Sequence, residues 1–326
     1  MQRSERRRVT PFIALQLTEM RSAHAGTHDS SSDYELLKAN GDMRLLLFGG
    51  NGQVGRALQS GEALADEVTV ATRRECDLTD AESVRRLVRR VRPDVIVNAA
   101  AYTAVDKAES DRDSCFAVNA AAPAAMASEA AALGARLVHY STDYVFDGMK
   151  TTPYAEEDAT GPRNVYGASK LEGEQGIAEA GGEFVVLRTS WVYSNHGTNF
   201  LKTMLRLRTE RPELRIVADQ RGAPTSADAI AEATREILRQ AGKGDWRSGV
   251  YHMTAGGATT WYGFAKAIFE RAGEPTPSVI AIDTAEYPTP AARPTNSVLS
   301  NEKFAAHFGF RLPEWEQQLD AVMAVS

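Results

Sequence analysis

The chain has 326 residues, 43% of them hydrophobic and 25% charged, with a formal net charge of −6. This is an ordinary globular composition, long enough for two domains, and its acidic balance, with no basic run beyond the first eight residues, argues against a nucleic-acid surface. No apolar stretch approaches the ~20 residues that a membrane span needs, and Cys76 and Cys115 stand at no metal or CxxC spacing, which fits reduced thiols in a reducing, cytoplasmic compartment.

Residues 1–42 look foreign to the rest. Arg3, Arg6, Arg7 and Arg8 open them, and a polar, turn-rich run follows at 25–33, so disorder is expected there. The apolar patch at 11–17 is too short for a secretory signal and lacks a cleavage site. A leader, or a start placed upstream of Met43, is the simplest reading.

From Met43 the pattern is regular. An apolar run over 44–48 predicts a strand buried on both faces, and Gly49-Gly50-Asn51-Gly52-Gln53-Val54-Gly55 follows it. Two glycine registers coexist, one starting at Gly49 and one at Gly50, and both continue through Gly52 and Gly55. Either provides a tight turn, close approach of backbone to a pyrophosphate, and a helix start aimed at negative charge.

A second strand over 68–72 runs into Arg73 and Arg74, where NAD sites usually place an acidic ribose ligand. Guanidinium groups suit a 2′-phosphate, so NADPH is the expected cofactor, with NADH the alternative because Glu75 lies beside them. Asp77 is positioned for the adenine amino group. Asp80 or Thr79 caps a charged helix over 81–91, and 95–98 is the next buried strand. It opens into Ala99, Ala100 and Ala101, small residues against which a flat cofactor can lie. An alanine-rich helix over 121–133 and a strand over 137–142, ending at Thr142, continue the cadence of a doubly wound parallel sheet, with ligands at the strands' C-terminal ends.

Tyr166 and Lys170, 24 residues after Thr142, are four apart on a predicted helix and share one face. A cation within reach stabilises a phenolate, lowering a tyrosine by roughly 1–3 units toward the range acid–base chemistry uses. The same spacing recurs at Tyr34/Lys38 and Tyr262/Lys266, but neither pair follows a nucleotide fingerprint and strand end. A further strand is expected over 185–190. Beyond it the texture turns aromatic and proline-rich, so a smaller domain over 191–326 is expected to interleave with the nucleotide-binding half, 43–190. Its segments 225–240 and 249–253 are candidates to rejoin the sheet.

These segments resemble the extended short-chain dehydrogenase/reductases and, within them, the dTDP-4-dehydrorhamnose reductase family. The likeness runs from Met43 to the C-terminus through 46–55, 93–109, His139-Tyr-Ser-Thr-Asp-Tyr-Val-Phe-Asp-Gly148, Asn164-Val-Tyr-Gly-Ala-Ser-Lys-Leu171, 188–193, 219–225 and 287–297. It implies an α/β, Rossmann-type fold and NADPH-dependent reduction of the C4 keto group of dTDP-4-dehydro-L-rhamnose. Thr142, Tyr166 and Lys170 would form the catalytic trio: Tyr166 the proton donor, Lys170 holding the nicotinamide ribose and tuning the tyrosine, Thr142 orienting the carbonyl.

The cofactor set implied is Gly49, Gly52, Gln53, Val54 and Gly55, then Arg73, Arg74, Asp77 and Leu78. Ala99, Ala100, Ala101, Tyr102 and Tyr140 join Tyr166 and Lys170 in it. Thr142, Asp143, Trp191, Asn199, Gln220 and Arg293 would meet the nucleotide-sugar. Some members bridge a dimer through a glutamate-held metal; the matching position here is Ala57, so a monomer or weak homodimer is expected in place of the metal-bridged dimer, and a role for Mg2+ stays open. A 4,6-dehydratase would need a second carboxylate after Asp143, where Tyr144 stands. An epimerase, or a non-catalytic NADP-binding subunit, is the remaining alternative.

Overall fold

The computed structural model describes residues 43–325, and the expectation of disorder over 1–42, with the pair Tyr34/Lys38, lies outside them. The first half runs β1 (Arg44–Phe48), α1 (Gln53–Gln59), β2 (Glu67–Ala71), α2 (Ala81–Val91) and β3 (Val95–Asn98). Two short helices, α3 (Val105–Ala108) and α4 (Arg112–Phe116), lead through a π-turn at Ala117–Ala121 into α5 (Ala122–Leu133). Then come β4 (Arg136–Thr142), α6 (Val165–Glu179) and β5 (Glu183–Thr189).

β6 (Val192–Tyr193), α7 (Phe200–Glu210), β7 (Glu213–Val217), β8 (Arg221–Gly222), β9 (Thr225–Ser226) and α8 (Ala227–Gly242) follow. The chain ends with β10 (Gly249–His252), β11 (Thr259–Thr260), α9 (Trp261–Ala272), β12 (Ser278–Ile282), α10 (Glu302–Phe308) and α11 (Trp315–Ala324).

Six strands form the main sheet in the order β2-β1-β3-β4-β5-β10, every pairing parallel. Alternation along each strand feeds two cores. Leu45, Leu47, Val95, Val97, Val138 and Leu187 face one core with α1, α8 and α10, while Leu46, Phe48, Ile96, Leu137 and Val186 face the other with α2, α5 and α6. A sheet covered on both faces needs such unbroken apolar runs. α8 and β10, from the C-terminal half of the chain, complete one face and one edge of the sheet. A third core, around Phe264, Ile268 and Leu319, joins α7, α9 and α11.

α6 is held unusually close to its neighbours. Asn164 caps it, its side chain accepting from the Gly167 amide at 2.7 Å. A Cβ on Gly167 would lie 2.2 Å from the Tyr144 carbonyl oxygen, and one on Gly173 would lie 2.1 Å from that of Asn119. Glycine inside a helix costs ~1 kcal/mol relative to alanine; here that cost is offset by backbone-to-backbone packing that a side chain would prevent. Farther along, Glu174 takes a forked ion pair from Arg188 of β5, with Nη2–Oε2 2.7 Å and Nε–Oε1 3.0 Å, both side chains 5% exposed. Helix and sheet are thereby locked in register.

Glu174→Ala, which leaves the Arg188 guanidinium buried without a counter-charge, is expected to lower unfolding free energy by about 3–5 kcal/mol in a urea titration. Replacing both residues by methionine should recover most of that loss. A single-variant loss below ~1 kcal/mol would show that the pair does not hold α6 in place.

Candidate active site

The strand order reverses between β1, whose chain goes on to β2, and β3, which lies on its other side; ligands of such sheets settle in the crevice at that point. A cleft of about 940 Å³ opens there. Its floor depends on glycine. Gly49 has φ +79°, and a Cβ on it would lie 2.4 Å from the Ala99–Ala100 backbone; one on Gly55 would lie 2.2 Å from the Gly49 carbonyl oxygen. Gly49, Gly52, Gln53 and Val54 border the cleft, whereas Gly55 works beneath it, letting α1 close on the turn. Ala99, Ala100, Ala101 and Tyr102 form the opposite wall, and Tyr140, Tyr166 and Lys170 one end.

Arg73, Asp77 and Leu78 border the other end, but Arg74 does not. Glu75 turns back instead, accepting from the Thr72 amide at 3.0 Å and the Thr72 hydroxyl at 2.9 Å, hydrogen bonds that hold its carboxyl below the usual range. That removes it from competition with Arg73. Asp77 accepts from the Thr79 amide and hydroxyl at 2.9 and 2.7 Å, and Asp80, not Thr79, caps α2.

Two residues expected at ligands, Gln53 and Asn199, also tie the scaffold together. Gln53 Oε1 accepts from Ser194 Oγ at 3.0 Å and from Asn199 Nδ2 at 2.8 Å, tying the glycine turn to the segment after β6. Asn199 also accepts from the Lys202 amide at 3.1 Å as the cap of α7, so its amide is committed to the scaffold. Tyr140 borders the cleft, yet its phenol is 2.7 Å from Thr234 Oγ1 of α8. Alternation along β4 sends Tyr140 to one core and His139 to the other, and the Tyr140 carbonyl turns toward Lys170.

That carbonyl accepts from Lys170 Nζ at 2.7 Å, and His139 Nε2 lies 2.9 Å from the same nitrogen. Lys170 is 1% exposed, and burial lowers it from 10.5 to about 8. The expected electrostatic lowering of Tyr166 is not what the structure has. Lys170 points to β4 instead of the phenol, and burial pushes Tyr166 well above its ordinary value, opposed by a hydrogen bond with Thr142. One helical turn sets a shared face but not which partner a buried lysine chooses; deprived of water, Nζ turns to the polar groups of β4, the Tyr140 carbonyl and the His139 ring.

Thr142 Oγ1 donates to Asp143 Oδ1 at 2.9 Å and accepts from the Tyr144 amide at 3.2 Å. Asp143 is 2% exposed, its Oδ2 has no hydrogen-bond partner among the described residues, and burial raises it to about 6.

The other residues expected at the sugar fall into two groups. Trp191 holds a left-handed backbone (φ +47°), a conformation costing of order 1–3 kcal/mol for a non-glycine residue. It stacks on Trp261 at 3.5 Å with planes 5° apart, over Gly222, where a Cβ would meet the Trp191 ring at 2.4 Å. Gln220 joins them, accepting from Trp261 Nε1 at 3.2 Å and donating to Thr284 at 3.0 Å. Arg293 is paired with Asp106, Nη2–Oδ2 2.8 Å, and would share its charge with any diphosphate. Tyr262/Lys266 is a cation–ring pair on α9, 5.7 Å apart, and neither residue borders the cleft.

Ser141 and Thr189 were not expected. Both border the cleft, and each is buried with its hydroxyl unpartnered among the described residues. A hydroxyl at a strand's C-terminal end, as Thr189 is on β5, was the available signal. Trp261 gave none, because its role depends on packing against Trp191. Ala57, where a bridging glutamate would stand, is 5% exposed in the core, and Arg235 of α8 donates to its carbonyl at 2.8 Å. The described residues hold no cluster of three or more His, Cys, Asp or Glu placed for a metal.

Residues 43–326 match the family model described as the RmlD substrate binding domain. The chain is similar to a dTDP-4-dehydrorhamnose reductase of Burkholderia thailandensis, 49% identical over 84% of this chain and 95% of that protein. It is 46% identical to the Escherichia coli K12 reductase over the same shares. A crystal structure of the Bacillus anthracis reductase in complex with NADP superposes with a TM-score of 0.82 at 34% identity, covering 87% of this chain and 99% of that one.

The Asp143 carboxyl binds its proton more tightly folded (about 6) than unfolded (3.8), so its contribution to stability falls as pH rises through that window. Asp143→Asn, which carries no such proton, should gain on the order of 1–3 kcal/mol relative to the unsubstituted protein between pH 4 and pH 7.5. Thermal melts at the two pH values check this; an unchanged gap would mean the carboxyl is not perturbed.

Proposed function

The chain belongs to the RmlD substrate-binding-domain family, the dTDP-4-dehydrorhamnose reductases, and on that premise we propose how its residues carry out NADPH-dependent reduction of the C4 keto group of dTDP-4-dehydro-L-rhamnose. The observation that carries the reading is one end of the cleft, which Tyr166 and Lys170 border, with Thr142 ending the strand whose Tyr140 carbonyl accepts from Lys170. The cleft suits a dinucleotide: its volume of about 940 Å³ lies at the upper end of the usual ligand range, and its glycine turn admits no Cβ at Gly49 or Gly55. Arg73 at its far end would neutralise a 2′-phosphate.

NADPH, when bound, supplies the hydride, and the protein supplies position and a proton. Tyr166 is the general acid. Burial keeps its phenol protonated at neutral pH, which loads the donor before the sugar arrives. Its proton passes to the C4 oxygen as negative charge develops there. Thr142 aligns the carbonyl, and its single hydroxyl proton is shared between that oxygen and Asp143. Lys170 holds the nicotinamide ribose from the sheet side. Trp191, braced by Trp261, offers an apolar face to the sugar ring, and Arg293 meets the diphosphate. Elimination chemistry lacks its second carboxylate, since Tyr144 follows Asp143. No helix of the described residues is long and apolar enough to cross a membrane. We place the enzyme in the cytoplasm, as a monomer or weak homodimer.

Tyr166→Phe should lower kcat by roughly 10²–10⁴-fold while NADPH affinity stays within about twofold, both followed by nicotinamide absorbance and fluorescence. Retained turnover would remove Tyr166 as the acid. Arg73→Ala should cut the NADPH-over-NADH preference by roughly 10–100-fold, the value of one charged hydrogen bond. An unchanged ratio would place the 2′-phosphate elsewhere.

A further inference from the structure

His139 is fully buried on β4 and belongs to no part of the trio. Two hydrogen-bond donors bracket its ring. Asn98 Nδ2 lies 3.0 Å from Nδ1, and Lys170 Nζ lies 2.9 Å from Nε2. The Asn98 amide has no freedom to turn over. Its oxygen accepts from the Ala100 amide at 3.1 Å, and the reversed amide would set NH2 against N–H. Asn98 therefore presents an N–H to Nδ1, which must accept it, and the ring's one proton sits on Nε2. That proton meets Lys170. An ammonium has no lone pair to receive it, whereas a neutral amine does.

We propose that His139 is a positioning residue which, locked by Asn98 as the Nε2–H tautomer, donates into the Lys170 lone pair and weakens the hold of Nζ on its proton. With the amine, every partner is satisfied: Tyr140 takes an amine N–H, and His139 fills the lone pair. With the ammonium, one donor–donor contact is unavoidable, at Nε2 or, after a tautomer shift, at Asn98. Lys170 is then a reversible proton carrier at the end of the cleft that Tyr166 also borders, and not a fixed cation.

The surrounding charges leave room for this. Burial lowers Lys170 to about 8; Glu174, itself tied to Arg188 of β5, and Cys115 of α4, a thiol raised by burial, pull upward without cancelling it. Burial and the Lys170 charge also hold His139 well below its ordinary value, so the imidazolium is no alternative. The catalytic consequence rests on the role proposed for Lys170, but the tautomer is read without substrate, so failure of one is distinguishable from failure of the other.

The test is ¹⁵N-histidine NMR of the full chain at pH 8.5, with the His139 ring assigned by its through-space contact to Lys170, together with NADPH affinity as a function of pH. The expected ring is neutral and protonated at Nε2. In Asn98→Ala, which removes the bracketing donor, and in Asn98→Asp, which accepts a proton from Nδ1, the ring should shift toward Nδ1–H. The midpoint at which NADPH affinity weakens with rising pH should then move up by about one unit in both. An Nδ1–H ring in the unsubstituted protein would overturn the proposal, and so would a midpoint common to all three proteins. A shift in Asn98→Asp alone would mark a simple charge effect and overturn it too.

Discussion

A lysine side chain stripped of water is the constraint around which this site is arranged. Lys170 cannot be buried on α6 unless polar groups on β4 replace its hydration, and the Tyr140 carbonyl and the His139 ring do so at 2.7 and 2.9 Å. That requirement fixes the distance between helix and sheet. The same helix is held by Gly167 and Gly173, which leave no room for a Cβ against the Tyr144 and Asn119 carbonyls, and by Glu174, which reaches Arg188 on the neighbouring strand. With the helix pinned this close, Tyr166 is delivered to the cleft as a neutral phenol.

The architecture was legible where the signal was periodic or steric. Continuous apolar runs marked strands covered on both faces, and the two cores meeting alternate residues of β1 confirm that reading residue by residue. The glycine turn was legible because its constraint is steric: Gly49 takes the left-handed turn, and Gly55 lets α1 close on it. Alternation along β4 would also have shown that Tyr140 faces α8 while its neighbour faces α6. The family motif concealed this by presenting the whole segment as site.

What stayed hidden was the choice among partners. The spacing of Tyr166 and Lys170 fixed a face of the helix but said nothing of burial, and burial reverses the sign of the expected shift on the tyrosine. Gln53 and Asn199 carry amides suited to a ligand or to a neighbouring loop, and only the fold shows that they bond to each other across 146 positions. Trp261 lies 70 positions from Trp191 and stacks flat against it, holding a strained residue where the nucleotide-binding half gives way to the interleaved C-terminal segments. That strain persists because Gly222 and Gln220 leave the two rings one arrangement.

The central claim is that burial, not a neighbouring cation, sets the protonation of Tyr166, so the acid is loaded throughout the neutral range. The ultraviolet difference spectrum between the unsubstituted protein and Tyr166→Phe, titrated from pH 6 to 10.5, tests this directly, because tyrosinate absorbs where the phenol does not. The account predicts no tyrosinate signal from Tyr166 anywhere below the ordinary tyrosine value near ~10. A tyrosinate titrating between pH 6 and 9 would contradict it and restore the lysine as the group that tunes the acid.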